Sequence, residues 1–121
     1  MTPIIPANPL GVETSDEAVL VTIGESHLDA VNAEAVARQL YALVQPSLPG
    51  RLVLDFHNVR FLTSTFLAGL LTLRRLLKVA SGQLALKNVN RGLYEVLEVT
   101  NLTQVFEVHR LGEADIPARP A

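Results

Sequence analysis

With 121 residues, of which 49% are hydrophobic and 18% are charged, the chain has the size and composition of one globular domain, which argues against general disorder. Its 10 Lys and Arg against 12 Asp and Glu give a formal net charge of −2, which argues against nucleic acid as a partner, because phosphate backbones are bound by clustered basic surfaces. The absence of cysteine excludes disulfides, thiol catalysis and cysteine metal sites, and it fits a reducing compartment.

The sequence contains no segment typical of secretion or membrane insertion. The first six residues, Met-Thr-Pro-Ile-Ile-Pro, lack the basic and apolar regions of a signal peptide. The longest mainly apolar stretch, residues 66–73, is far shorter than the roughly 20 residues needed to cross a bilayer. We therefore expect a cytoplasmic protein without direct membrane insertion.

The first part of the chain is predicted to form two strands and a helix. Residues 1–9 contain three prolines and are expected to form a flexible arm. Residues 10–14 and 18–24 are predicted strands, the second of them rich in β-branched side chains. Apolar residues at helical spacing then predict a helix over 32–44. Its candidate N-caps are Asp29 and Asn32.

The second part of the chain continues the alternation of strands and helices. Strands are predicted at 51–56, 83–87 and 104–108, and helices at 64–80 and 93–99. Because helices between strands act as crossovers, the pattern predicts a largely parallel sheet. The expected fold is a single α/β domain over residues 10–110, with a mostly parallel mixed sheet of about five strands and helices packed against it. Residues 111–121 are expected to be a flexible tail.

No catalytic or cofactor motif is present in the sequence. Phosphate-binding glycine loops and the nucleophile elbow are missing, and His27, His57 and His109 have no second metal ligand at helical spacing. Asp29 and Asp55 fall near strand ends, where α/β proteins place their sites, but such residues also form local turns. We predict no catalytic residue, metal or cofactor; a small enzyme using Asp29, Asp55 or a histidine is the least favoured alternative.

The most informative segment is 61–71, where an apolar strand end meets three consecutive hydroxyl residues. One of Thr63, Ser64 and Thr65 is expected to be the N-cap of the following helix, because a hydroxyl accepts from the free amides of the first turn. A cap explains one hydroxyl and does not require three.

Helical geometry assigns two faces to the helix over 64–80. At 100° per residue, one stripe is predicted to face the core, and it contains Phe66, Leu70, Leu73 and Leu77. A second face contains Ser64, Leu67, Ala68, Leu71, Arg75 and Lys78. Two interpretations of this second face stay open at this point. It is either a boundary face, with cationic stems lying over leucines, or an apolar docking strip with a charged rim.

From residue 10 to residue 110 the chain resembles a STAS domain. In that family a strand similar to residues 52–55 is followed by a loop and an Asp-Ser-Ser/Thr-Gly-Leu motif at a helix start. Ser64 and Thr65 hold the hydroxyl positions of this motif. The family's leucines correspond to Leu67 and Leu70. Further segments similar to the family's turns and short helix are 24–29, 81–86 and 90–106.

The resemblance implies an anti-sigma factor antagonist, a protein-binding module without enzymatic activity. It implies that Ser64 is the phosphoacceptor, and that the partner is an anti-sigma factor that is also an ATP-dependent serine kinase. The implied partner-binding residues are Asp29, Thr63, Thr65, Leu67, Ala68, Leu71, Arg75 and Lys78. The expected oligomeric state is a monomer or weak dimer.

Two residues of the motif depart from the family pattern. Thr63 replaces the family's Asp and removes a negative charge, and Phe66 replaces its Gly and adds bulk, although its place on the core stripe indicates an inward side chain. These departures favour an alternative function, because STAS domains also serve as scaffold subunits of signalling or lipid-transport assemblies without phosphorylation.

Overall fold

The computed structural model describes residues 11–14, 18–44 and 50–112, so the predicted arm over 1–9 and most of the predicted tail lie outside the described residues. The strands are Gly11–Thr14 (β1), Ala18–Thr22 (β2), His27–Leu28 (β3), Arg51–Asp55 (β4), Phe61–Leu62 (β5), Gln83–Val89 (β6) and Glu107–Arg110 (β7). The helices are Ala33–Val44 (α1), Ser64–Val79 (α2) and Arg91–Val99 (α3), followed by a 3₁₀ turn at Leu102–Gln104.

Five strands form one mixed sheet in the order β1-β2-β4-β6-β7. The pair β1–β2 is antiparallel, and the pairs β2–β4, β4–β6 and β6–β7 are parallel. The remaining strands, β3 and β5, form a separate two-residue parallel pair. Parallel neighbours need a crossover, and α1 and α2 supply the crossovers between β2 and β4 and between β4 and β6. This architecture confirms the predicted fold class.

The core lies on one face of the sheet. Because strand side chains alternate, residues in register point to the same face, and Val21, Leu54 and Leu86 are aligned across three strands and fully buried. All three helices contribute to the same cluster of buried side chains. The predicted core stripe of α2 is buried along its whole length, at Phe66, Leu70, Leu73 and Leu77.

A glycine sets the distance between α1 and α2. A Cβ atom on Gly69 would lie 3.0 Å from the Ala37 Cβ and 3.3 Å from the Tyr41 hydroxyl oxygen. That hydroxyl donates a hydrogen bond of 3.3 Å to the Gly69 carbonyl. The close approach holds the first turns of α2 beside α1.

The predicted last strand, residues 104–108, is wrong in its position. The amides of Val105 and Phe106 both donate to the Leu102 carbonyl, at 3.0 and 2.9 Å, so the chain turns where an extended strand was expected. Phe106 is thereby buried in the core. Pairing with β6 begins only afterwards, with Ala85 opposite Glu107. The residues around the turn are apolar because they cover the edge of the core, and this apolar composition is also typical of a strand.

Candidate functional site

Backbone hydrogen bonds tie the start of α2 to the segment that precedes α1. The amides of Arg60 and Phe61 both donate to the Ser26 carbonyl, at 2.7 and 3.1 Å. One residue before α2, the Thr63 amide donates to the Leu28 carbonyl at 2.9 Å. The short β3–β5 pair therefore brings two loops together at one end of the molecule.

Thr63 occupies the N-cap position of α2 but does not cap it with its side chain. Its backbone is extended, with φ −101° and ψ 169°, and its hydroxyl donates to the Leu28 carbonyl at 3.2 Å. Both donors of Thr63 thus meet the same carbonyl oxygen. The residue that replaces the family's Asp serves here to hold α2 against β3.

Ser64 and Thr65 are the first two residues of α2, and both are exposed. Within the described part of the chain, neither hydroxyl has a hydrogen-bond partner. Of the three consecutive hydroxyls, the structure therefore leaves two accessible and engages the third.

Exposed apolar side chains lie on the two loops that β3 and β5 join, one of which leads into α2. Phe61 is 49% exposed, and its ring lies 6.0 Å from that of the exposed His27, which is directly opposite in the β3–β5 register. Val31, in the turn before α1, is 90% exposed. We call His27, Val31, Phe61, Ser64 and Thr65 the Ser64 surface.

Sequence reasoning missed the apolar part of this surface. The two residues of β5, Phe61 and Leu62, could have indicated it, because adjacent residues of a strand point to opposite faces. Leu62 is buried, which turns Phe61 outward. No local pattern in the sequence indicates that Phe61 lies opposite His27.

Asp29 shapes the turn that presents Val31. Its carboxylate accepts hydrogen bonds from the amides of Val31 and Asn32, at 2.9 and 3.3 Å. In return the Asn32 side chain accepts from the Asp29 amide at 3.0 Å and donates to the His27 carbonyl at 2.8 Å. The two candidate N-caps thus lock each other and fix the loop that carries His27.

The predicted second face of α2 divides into two parts. Ala68, Arg75 and Lys78 are exposed, whereas Leu67 and Leu71 are half-buried and pack against the core. The leucines therefore have the environment of a boundary face. Phe66 is fully buried, with its ring 6.3 Å from that of Phe56, so its bulk does not reach the Ser64 surface.

Asp55, the other acidic candidate, is a buried carboxylate with three hydrogen bonds. One of its oxygens accepts from the His57 amide at 2.9 Å, the His57 imidazole at 3.0 Å and the Asn88 side chain at 3.0 Å. Burial alone would raise the pKa of Asp55, but the hydrogen bonds from Asn88 and His57 hold the pKa below its ordinary value. This arrangement joins the ends of β4 and β6 and keeps the group ionised at neutral pH.

In residues 11–14, 18–44 and 50–112, no group of three or more His, Asp or Glu side chains could hold a metal ion. The helices of the same ranges are too short or too polar to cross a membrane.

Comparisons with known proteins match this architecture. A family model described as "Mlab, STAS domain" matches residues 10–111. An anti-sigma factor antagonist from Mycobacterium paratuberculosis is 26% identical, with a TM-score of 0.72 over 84% of each chain.

SpoIIAA, an anti-sigma factor antagonist of Bacillus, has been solved in two forms. The unphosphorylated form is 17% identical, with a TM-score of 0.69 over 83% of this chain and 87% of SpoIIAA. The phosphorylated form is also 17% identical, with a TM-score of 0.63 over 83% of this chain and 90% of SpoIIAA. At this identity the likeness concerns the fold, whereas the family model spans most of the sequence; the chain belongs to the STAS domain family.

Proposed function

We propose that this chain is a cytoplasmic protein-binding module of the anti-sigma factor antagonist type, switched by phosphorylation of Ser64. Its partner is an anti-sigma factor that also acts as an ATP-dependent serine kinase. The observation that carries the proposal is the Ser64 surface, in which a hydroxyl is exposed at the start of α2. The exposed Phe61 lies in β5, which leads into α2, and β5 pairs with β3, which leads to the exposed Val31. Exposed apolar side chains next to polar ones are typical of protein interfaces.

The chemistry of the helix start explains how a phosphate would act. Phosphorylation adds about −1.5 to −2 charges and three acceptor oxygens. The first turn of a helix has free amides and the positive end of the helix dipole, so α2 tolerates the phosphate and the domain stays folded. Binding is lost because the phosphate would have to be desolvated among apolar side chains of the interface.

The replacement of Asp by Thr63 changes the surroundings of that phosphate. A carboxylate at position 63 would stand next to the phosphoserine and repel it, whereas Thr63 is neutral and turns its hydroxyl toward Leu28. We therefore expect phosphoserine at position 64 to be better tolerated here than beside an acidic neighbour.

The test is phosphorylation by the cognate kinase with ATP, followed by mass spectrometry. Wild type and Thr65→Ala should gain one phosphate on Ser64, and Ser64→Ala should gain none. Thr65→Ala is the matched control because it removes the neighbouring exposed hydroxyl. Phosphate on Thr65, or on neither residue, contradicts the proposal.

A second candidate keeps the interface but has no switch, as in a scaffold subunit of a signalling or lipid-transport assembly. It is favoured by the engagement of Thr63 with Leu28, since the family's acidic neighbour of the acceptor is replaced by a structural contact. The affinity of Ser64→Glu for the isolated partner separates the two. A loss of at least tenfold supports the switch, and an unchanged affinity supports the scaffold.

A further inference from the structure

The second half of α2 carries three cations, Arg74, Arg75 and Lys78. In the part of the chain that the structure describes, none of them forms an ion pair, whereas α1 and α3 each contain a pair between an arginine and a glutamate four residues apart. Arg74 and Lys78 are themselves four residues apart, so two like charges are neighbours on the helix surface and repel each other. A position at the helix C-terminus accounts for Lys78 but not for Arg74, which lies further inside the helix.

Arg74 and Lys78 line a cavity of about 530 Å³ between α2, the turn that follows it and the start of β7. Its lining also contains Ser81 and the apolar residues Leu84 and Val105. We call it the cationic cavity. Its volume is within the range of sites that bind small molecules.

Two contacts hold the donors of this cavity in place. The Arg74 Nε donates to the Val105 carbonyl at 3.1 Å, which leaves the terminal guanidinium nitrogens without a partner among the described residues. The Ser81 amide donates to the Lys78 carbonyl at 2.9 Å, and Ser81 adopts a left-handed backbone with φ 61°. The turn therefore keeps Ser81 close to the last turn of α2.

One carboxylate, that of Glu107, also lines the cavity, but its charge is matched. It accepts hydrogen bonds of 2.8 Å from both Arg51 and His109. The hydrogen bond from Arg51 lowers the pKa of Glu107, so the carboxylate is ionised and the Arg51 charge offsets it. Arg74 and Lys78 remain as two uncompensated positive charges.

We propose that the cationic cavity binds a small phosphomonoester. A phosphate monoester carries close to two negative charges, and its oxygens accept charge-assisted hydrogen bonds from Arg74 and Lys78 and a hydrogen bond from Ser81. The organic group lies against Leu84 and Val105. The α2 residues of the site, Arg74 and Lys78, are separated from Ser64 by about 15 and 21 Å along the helix axis, so the proposal is independent of the phosphorylation switch.

Phenyl phosphate is a suitable probe, because its ring tests the apolar lining and its phosphate tests the cations. Titration of the ¹⁵N-labelled full chain at constant ionic strength should give saturable amide shifts in residues 78–84 and 105–107. Inorganic phosphate should shift the same amides with weaker affinity. Shifts that do not saturate, or that are centred on α2's first turn, overturn the proposal.

Lys78→Gln and Arg75→Gln form a matched pair, since each removes one exposed cation of α2 and only Lys78 lines the cavity. Lys78→Gln should weaken phenyl phosphate binding about tenfold, the effect of losing one charge-assisted hydrogen bond. Arg75→Gln should change it by less than about twofold. Equal losses in both variants would show a general charge effect and would overturn the site.

Discussion

At its first turn α2 exposes Ser64 and Thr65 and has no charged side chain, whereas its second half carries three cations, two of which line a cavity. The same buried stripe runs beneath both ends. The helix dipole accounts for part of the difference, because the amino end favours an added anion and the carboxyl end favours a cation such as Lys78. One helix therefore carries an uncharged surface at one end and a positively charged one at the other.

The largest expected effect concerns the stripe that the two ends share. Phe66→Ala should lower the free energy of unfolding by about 3–4 kcal/mol, because it removes a fully buried aromatic side chain and leaves a cavity beside Phe56. Urea unfolding measures the loss. Thr65→Ala, on the exposed side of the same turn, should change stability by less than about 0.5 kcal/mol. Similar losses in the two variants would contradict the burial assigned to Phe66.

The next largest effect on stability is expected at Glu107, which lines the cationic cavity. Glu107→Gln should lower the free energy of unfolding by about 1–2 kcal/mol, since it leaves the buried Arg51 without its carboxylate partner; partial exposure of Glu107 limits the loss. Urea unfolding near pH 7 measures it. Glu13→Gln, on the exposed edge strand β1, is the control and should have little effect.

The difference in the free energy of unfolding between wild type and Glu107→Gln should depend on pH, because the pKa of Glu107 is shifted. Its folded pKa lies below its ordinary value of 4.5, so the folded state binds fewer protons than the unfolded state in that range. The stabilisation is therefore complete above pH 4.5 and is lost as the pH falls through the folded pKa. The stability gap between wild type and Glu107→Gln should narrow over this interval; a gap that widens on acidification would contradict the assigned contact.

At the other end of α2, Thr63→Val should lower the free energy of unfolding by about 1 kcal/mol. The substitution keeps the shape of the side chain but removes the hydroxyl that donates to Leu28 across the β3–α2 junction. Amide exchange at Phe61 and Thr63 should quicken more than exchange in β6, because the junction opens locally. Unchanged stability would mean that the hydroxyl contributes nothing to holding α2 in place.

The smallest effect on stability is expected at Ser64. Ser64→Asp should leave the free energy of unfolding within about 0.5 kcal/mol of wild type or raise it slightly, because a negative charge in the first turn of a helix is favourable. Thermal unfolding at low salt measures the change, and Lys78→Asp, which places the same charge at the opposite end, should be destabilising. If Ser64→Asp were destabilising and Lys78→Asp were not, the role assigned to the helix dipole at the two ends would be contradicted.

Much of the fold was predictable because it depends on local periodicity. The stripe Phe66, Leu70, Leu73 and Leu77 follows from helical spacing, and each of these residues is buried. The last strand was misplaced because Leu102 and Phe106 pack on the core from a 3₁₀ turn and the bend that follows it. The apolar composition of this segment indicates that its side chains are buried, but it does not indicate whether the backbone is extended or turned.

The candidate site was only partly predictable. The place of Ser64 in a motif predicted it as the phosphoacceptor, which stays a prediction, and the structure shows that Ser64 is exposed at the start of α2. The sequence could not indicate that Phe61 lies opposite His27, since that contact arises from the pairing of two loops. Nor could it indicate the hydroxyl bond of Thr63, whose acceptor is 35 residues away.

By itself, the sequence determined the alternation of strands and helices, the buried stripe of α2 and the position of a hydroxyl run at its start. These follow from side-chain spacing, which depends on neighbours along the chain. Only the tertiary structure decided which hydroxyls are free, that Phe61 lies opposite His27, and that Arg74, Lys78 and Ser81 line one cavity. Those features depend on distances between segments that only packing brings together.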